Sequence, residues 1–277
     1  MKLINKVVNK YYILLSLFLV CLLSSCSRNT ENSNNKFKVG MECSYAPFNW
    51  IQPSDKGNAV KISGNWYVCG YDVYIAQRIA EYLGKELEIV KIDWDGLLPA
   101  LTSGKIDAII AAMSPTESRK QSIDFTDEYY TSNVVVVLKK GNKYENAKSI
   151  NDFKNAKITA QLGTLQYNLI DQMEGVDKQT AMEDYPSIIS SLNSGKIDCY
   201  VSEKPAAMTT VHMNPALTYI EFEKDKGFDF SKNETQIAIG VNKGNILRNQ
   251  INDALKTISN ETREKLMNRA VEVSCNS

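Results

Sequence analysis

Past a polar stretch that ends near Lys36, short apolar runs alternate with amphipathic segments at helical spacing. Residues 37–41 alternate as a strand does. Residues 45–50 and 65–68 can form the arms of a hairpin around a polar, glycine-containing loop. Gly70, Tyr71 and Asp72 open a helix in which Val73, Ile75, Ala76, Ile79, Ala80 and Leu83 recur on one face, and Gly84 ends it. A strand follows over 87–92. Residues 134–139 and 236–242, β-branched and apolar, are two further strands. A C-terminal helix over 247–267 carries Leu247, Ile251, Leu255 and Ile258 on one face.

One pattern occurs twice. Residues 94–107 read WDGLLPALTSGKID, and residues 185–198 read YPSIISSLNSGKID, in register without a gap at an offset of 91. Each copy predicts a short helix, a glycine stop and a buried strand. In the first, Asp95 is placed to cap the helix, Pro99 falls early enough to be tolerated, and Gly104 ends it before a strand over 106–112. In the second, Pro186, Gly195 and a strand over 197–202 take the same places. Preceded by strands, these units imply parallel pairing. Two copies this far apart argue for two similar lobes and not for a solenoid. Strands 134–139 and 236–242 bracket the second copy. The expected architecture is therefore α/β and two-lobed, with lobe II (134–237) inserted into lobe I (37–133 and 238–277). The chain would cross between lobes twice, forming a two-strand hinge with a cleft beside it.

The N-terminus reads as a processing signal. Lys2, Lys6 and Lys10 precede an apolar segment over 11–25, too short to span a bilayer comfortably. It ends in Leu23-Ser24-Ser25-Cys26, which resembles the bacterial lipobox. Residues 1–25 would be the signal peptide and Cys26 the lipidated mature N-terminus. Residues 26–36, rich in Ser, Asn and Thr, would be a flexible tether. An uncleaved anchor helix is the alternative. The expected location is extracytoplasmic, held at the membrane by lipid.

Charge excludes some partners. The full chain has 32 basic and 32 acidic residues. Loss of residues 1–25 removes three lysines and no acid, which leaves the mature chain near −3. Neither nucleic acid nor an anionic membrane surface is an expected partner. Four cysteines remain in the body: Cys43, Cys69, Cys199 and Cys275. Their spacing fits no metal or cluster pattern. Cys43 and Cys69 flank one hairpin and are the pair best placed for a disulfide, with four free thiols as the equal alternative.

Ligands of open α/β sheets bind beyond the carboxyl ends of parallel strands. The repeat locates those ends at Ala112 and Glu203, which are equivalent by the offset. Ser114-Pro115-Thr116-Glu117 has the form of a capping box, and Arg119 lies one turn in, where it could fork a carboxylate. From spacing alone the plainer reading, a capped surface helix with Arg119 in solvent, is the stronger.

The run GYDVYIAQRIAEYLGKELEIVKIDWDGLLPALTSGKIDAIIAAMSPTESRKQSIDFTDEYY, residues 70–130, resembles the family 3 extracellular solute-binding proteins, the amino-acid receptors of ABC importers. The similarity extends over 37–271, and Tyr74 departs from the acidic residue common at its position. The resemblance implies that Arg119 binds a ligand α-carboxylate with help from Ala112, Ser114 and the turn Gly163-Thr164-Leu165. It implies that Glu203 binds the α-ammonium. Tyr45 and Trp94 would cover the ligand side chain, with Glu42 and Gln161 near its far end. For the aromatics, core packing is the alternative. Opposite charges on opposite lobes would be satisfied together only when the cleft closes. A membrane permease would receive the ligand from a monomeric protein. No catalytic residue, metal or cofactor is expected. An enzyme on the same fold, similar to cyclohexadienyl dehydratases with Glu42 or Glu203 as acid, and a ligand-presenting sensor are the alternatives.

Cys26→Ala should leave an unprocessed precursor without lipid label, read by metabolic labelling with a fatty acid. Normal processing with retained lipid would refute the anchor.

Overall fold

A computed structural model describes residues 35–230 and 235–275. The expected signal peptide, Cys26 and the tether up to residue 34 lie outside the described residues. In chain order the strands are β1 (Lys36–Met41), β2 (Ser44–Tyr45), β3 (Asn49–Gln52), β4 (Val60–Ser63), β5 (Trp66–Cys69), β6 (Glu86–Lys91), β7 (Ala108–Ile109), β8 (Ile123–Thr131), β9 (Val134–Lys139), β10 (Lys157–Thr159), β11 (Asp177–Lys178), β12 (Cys199–Glu203), β13 (Leu217–Ile220) and β14 (Gln236–Asn242). The α-helices are α1 (Tyr71–Leu83), α2 (Leu97–Thr102), α3 (Glu117–Ser122), α4 (Leu165–Leu169), α5 (Tyr185–Asn193), α6 (Lys204–Met213), α7 (Leu247–Lys256) and α8 (Asn260–Cys275).

Two five-stranded sheets share one plan. The first runs β6-β1-β7-β14-β8 and the second β11-β10-β12-β9-β13. In the first, β7 is parallel to β1 and antiparallel to β14; in the second, β12 is parallel to β10 and antiparallel to β9. The chain leaves the first sheet between β8 and β9 and returns between β13 and β14. A smaller antiparallel sheet, β2-β3-β5-β4, belongs to the N-terminal part.

The sequence repeat is also a repeat of backbone geometry. Ser103 and Ser194 end their helices at the same φ and ψ, −82° and −5°. Gly104 and Gly195 follow at φ 75° and 74°, a left-handed turn that a Cβ would oppose. Lys105 N–H then bonds the Ala100 carbonyl and Lys196 N–H the Ser191 carbonyl, both at 2.9 Å. The closing aspartates do matched work. Asp107 accepts from Lys38 N–H and Asp198 from Lys157 N–H, each at 2.8 Å, so each clamps the start of the neighbouring parallel strand.

Packing covers both faces of the sheets. Along β9, Val134, Val136 and Leu138 join a cluster with Phe153 and Ile158. Val135 and Val137 join the opposite cluster with Tyr185, Ile188 and Tyr200. Period-two alternation within an all-apolar run is what a strand buried on both sides requires.

Three local expectations are corrected. Asp95 caps no helix: it lies inside a 3₁₀ turn (Trp94–Gly96), and Gly96 precedes α2 without a side-chain cap. The single C-terminal helix is two. Thr257 ends α7, and Ser259 Oγ accepts from Thr262 N–H at 3.2 Å to start α8. Cys43 and Cys69 form no disulfide; all four described cysteines are free. Strand β3 separates them, because Ser44 pairs with Trp50 and Trp50 pairs with Cys69. Two strand spacings, ~10 Å, exceed the ~7 Å that a disulfide can span between Cα atoms.

Gly70 joins the small sheet to α1 at φ 136°, and an added Cβ would lie 2.2 Å from the Phe48 carbonyl oxygen. Tyr71 and Asp72 N–H groups bond the Pro47 and Phe48 carbonyls at 2.9 and 2.8 Å, so the backbone there has no room to yield. Gly70→Ala should destabilise the fold by about 2–4 kcal/mol through strain and clash. Urea unfolding checks this, and a loss under about 0.5 kcal/mol, the scale of a neutral surface change, would contradict it.

Candidate functional site

The carboxyl ends of four strands converge on one cavity. The segment after β1 brings Glu42 and Tyr45, and the segment after β7 brings Ala111, Ala112, Ser114 and Arg119. From the second lobe come Gln161, Thr164, Leu165 and Gln166 after β10, and Glu203 at the end of β12. Trp94 and Tyr185 complete the wall. Ten of the eleven residues expected to bind ligand line this single cavity; Gly163 does not, and its carbonyl accepts from Arg119 instead.

Arg119 is held by backbone oxygens from both lobes. Its guanidinium donates to the Ser114 carbonyl at 2.7 Å and to the Gly163 carbonyl at 2.9 Å. Its charge lies over the Trp94 ring, 5.2 Å from the centroid. The cap of the helix that carries it differs from expectation. Thr116, not Ser114, caps α3 by accepting from Arg119 N–H. The Ser114 carbonyl is left to face the guanidinium. Removal of water pulls the Arg119 pKa down to about 10.

Glu203 is 5 % exposed and accepts from the Tyr45 hydroxyl and the Gln166 amide. Both partners are neutral. Burial pushes its pKa up to about 8. Glu42, equally buried, accepts from Ser44 Oγ and Gln161 Nε2, both at 2.8 Å. Burial raises its pKa to about 7; the two hydrogen bonds oppose the rise, and Asp184 and Asp93 add to it. The bonds Tyr45–Glu203, Gln161–Glu42 and Arg119–Gly163 each join one lobe to the other, as does the Tyr45–Tyr185 stack at 4.3 Å.

Three lining residues escaped the sequence reading: Ala111, beside the expected Ala112, and Tyr185 and Gln166. Tyr185 stands at the place in the second repeat that Trp94 holds in the first, so the register that revealed the lobes also pointed to it. Gln166 sits in the first turn of α4, and nothing in its sequence context marks it. Tyr74 is remote from the cavity; its ring packs against the Arg269 guanidinium at 5.7 Å. Beyond Glu42 and Trp94 a second cavity, which shares those two residues, is lined by Lys91, Asp93, Asp95, Glu183 and Asp184. Among the described residues no group of three His, Cys, Asp or Glu side chains is placed to hold a metal ion.

Comparison with known proteins agrees with this layout. The family description of bacterial extracellular solute-binding proteins, family 3, matches residues 37–272. A probable histidine-binding protein of Campylobacter jejuni is 35 % identical over 82 % of this chain and 87 % of its own length. The L-cystine-binding protein TcyJ of Escherichia coli is 30 % identical over 86 % of this chain and 85 % of its own. The arginine-bound crystal structure of AbpA, an amino-acid ABC transporter substrate-binding protein from Streptococcus pneumoniae, superposes with a TM-score of 0.76 at 26 % identity, covering 88 % of this chain and 98 % of that one.

Both buried acids sit above the ordinary carboxylate range, so the compact cleft holds protons that the same groups would release in water. Its stability is full in acid and is lost as pH rises through about 7 for Glu42 and about 8 for Glu203. Without added ligand, small-angle scattering should give a larger radius of gyration at high pH than in mild acid. A radius independent of pH across both values would contradict the assignment.

Proposed function

We propose that this chain, which belongs to the bacterial extracellular solute-binding proteins of family 3, captures a polar L-amino acid in the cleft between its lobes and delivers it to an ABC permease. The observation that carries the reading is the meeting of Arg119 from one lobe and Glu203 from the other across a single small cavity. A guanidinium with carbonyl partners can exchange them for a carboxylate, which it binds in a fork. A buried carboxylate with neutral partners gains from an ammonium, which restores its charge. An α-amino acid supplies both groups at once. Closing the lobes on it pairs both charges, and the ligand favours the closed form by that difference.

The side-chain end favours a cation, with arginine, lysine or ornithine ahead of other polar amino acids. Glu42 lies there, and the adjoining cavity sets Asp93, Asp95, Glu183 and Asp184 against one lysine, Lys91. Trp94, Tyr45 and Tyr185 offer faces to an extended aliphatic chain or a guanidinium, at about 0.5–2 kcal/mol per cation–π contact. Ligand leaves chemically unchanged, since the cavity groups pair charges with it. Lipidation at Cys26 would keep the receptor, as a monomer, beside its permease.

Calorimetry across the common amino acids tests the reading. Arginine, lysine or ornithine should bind, and ligand recovered after binding should be intact by mass spectrometry. Arg119→Ala should lower affinity by two to four decades, about 3–5 kcal/mol for a charge pair stripped of one partner. Glu42→Gln should weaken arginine more than glutamine. Tight binding of glutamate or aspartate alone would overturn the cation preference.

A further inference from the structure

Asp72 is completely buried in the first turn of α1 and does not line the cavity. A buried carboxylate needs partners, and it takes them from outside its own helix. Oδ2 accepts from Asn49 Nδ2 at 2.7 Å, and Asn49 Oδ1 accepts from Cys43 N–H at 2.7 Å. Oδ1 accepts from the Tyr129 hydroxyl at 2.7 Å, and that hydroxyl accepts from Ala112 N–H at 3.0 Å. Each chain of bonds ends on a residue in the left-handed region: Cys43 has φ 62° and Ala112 φ 51°. Side chains disfavour that region, so such corners persist where surrounding bonds enforce them. Cys43 lies between Glu42 and Tyr45 in sequence, and Ala112 precedes Ser114. The two corners follow the adjacent parallel strands β1 and β7, paired through Val39–Ala108 and Gly40–Ile109.

We propose that Asp72 is the positioning residue of the first lobe's half of the amino-acid site. Through Asn49 and Tyr129, one buried carboxylate holds both strained corners from which Glu42, Tyr45, Ala112 and Ser114 face the cleft. The direction of every bond is forced. An ionised carboxylate only accepts, so Asn49 must turn its amide nitrogen to Asp72 and its oxygen to Cys43. Tyr129 must give its proton to Asp72, which leaves its oxygen free for Ala112 N–H. An amide at position 72 cannot serve both arms, because its nitrogen would face a second donor on one of them. The role in ligand binding rests on the amino-acid reading of the cleft; the hold on the corners does not.

The test joins amide hydrogen exchange with calorimetry, using L-arginine and L-glutamine as probes. Asp72→Asn should speed exchange at one or both of Cys43 and Ala112 by tenfold or more, with the amides of Ile75 and Ile79 in α1 unchanged. Affinity for a bound probe should fall about tenfold or more. Tyr129→Phe should release only Ala112, and Asn49→Ala only Cys43. Asp107→Asn, which loosens a strand clamp elsewhere in the same sheet, is the control for lost stability alone. Wild-type exchange at both corners in Asp72→Asn, uniform acceleration throughout, or an affinity loss no greater than in the control would overturn the proposal. If Asp72→Asn does not fold, the two single-arm variants decide: each must free its own corner and weaken the probe, or the proposal fails. If neither probe binds wild-type protein, the amino-acid reading falls, and the exchange pattern alone decides whether Asp72 holds the corners.

Discussion

Of three ionisable side chains in the cleft, Glu42 and Glu203 are buried and Arg119 is half-buried, and none of them meets an opposite charge. Arg119 rests on two carbonyl oxygens, Glu203 on a phenol and an amide, Glu42 on a hydroxyl and an amide. Neutral partners satisfy geometry and leave the charge poorly compensated, which is why the arginine's pKa is pulled down and both glutamates' are pushed up. A molecule that bears both charges relieves this constraint, and it can do so only where the lobes face each other. The physical chemistry of the cleft thus couples selectivity to conformation. What distinguishes an amino acid from a simple anion or amine is the ability to compensate both lobes together.

The lobes can face each other in this way because they are built on the same unit. Helix, left-handed glycine and clamped strand recur with nearly identical dihedral angles, so the ends of β7 and β12 arrive at the cavity as equivalents. Ala112 and Glu203 then fill equivalent positions with different chemistry. The aromatic that opens each copy, Trp94 or Tyr185, also reaches the wall. A duplicated scaffold carries unlike side chains at matched points, so the two sides of the cleft differ in chemistry.

This organisation was legible in the sequence because it rests on patterns of spacing. The repeat predicted two lobes, the bracketing valine-rich strands predicted an insertion, and the strand ends predicted where ligand groups would gather. Finer features were lost where several residues compete for one job. Ser114 and Thr116 could each cap a helix, and only the backbone path decides for Thr116. Ser259 interrupts an apolar periodicity that continues through Ile258, so one helix was expected in place of two. Cys43 and Cys69 looked close because they flank a hairpin, yet the first arm folds back on itself, so β3 lies between β2, next to Cys43, and β5, which carries Cys69. Gln166 reaches Glu203 through tertiary packing, which local sequence does not record.

The two most specific sequence motifs are a single object in three dimensions. Tyr71 and Asp72 of GYDV meet Tyr129 of IDFTDEYY: the Tyr71 hydroxyl bonds the Tyr129 carbonyl at 2.8 Å, the two rings stack at 5.9 Å, and Asp72 takes the Tyr129 proton. Burial raises the Asp72 pKa to about 6, while the bonds from Tyr129 and Asn49 hold it from going higher. An apolar residue at position 72 would avoid that desolvation, but it could not orient an amide and a phenol at once. The carboxylate gives directional control over two loops from one point beneath the cleft floor. Rigidity is therefore concentrated under the corners that bear the proposed amino-acid head site, and the proposed side-chain end lies beside the acidic outer cavity. Substitutions around Glu42, Asp93 and Asp184 can change which side chain is accepted without disturbing the supports of Ala112 and Ser114. A fold arranged this way can keep one head-group site while its members diverge in the amino acid they carry.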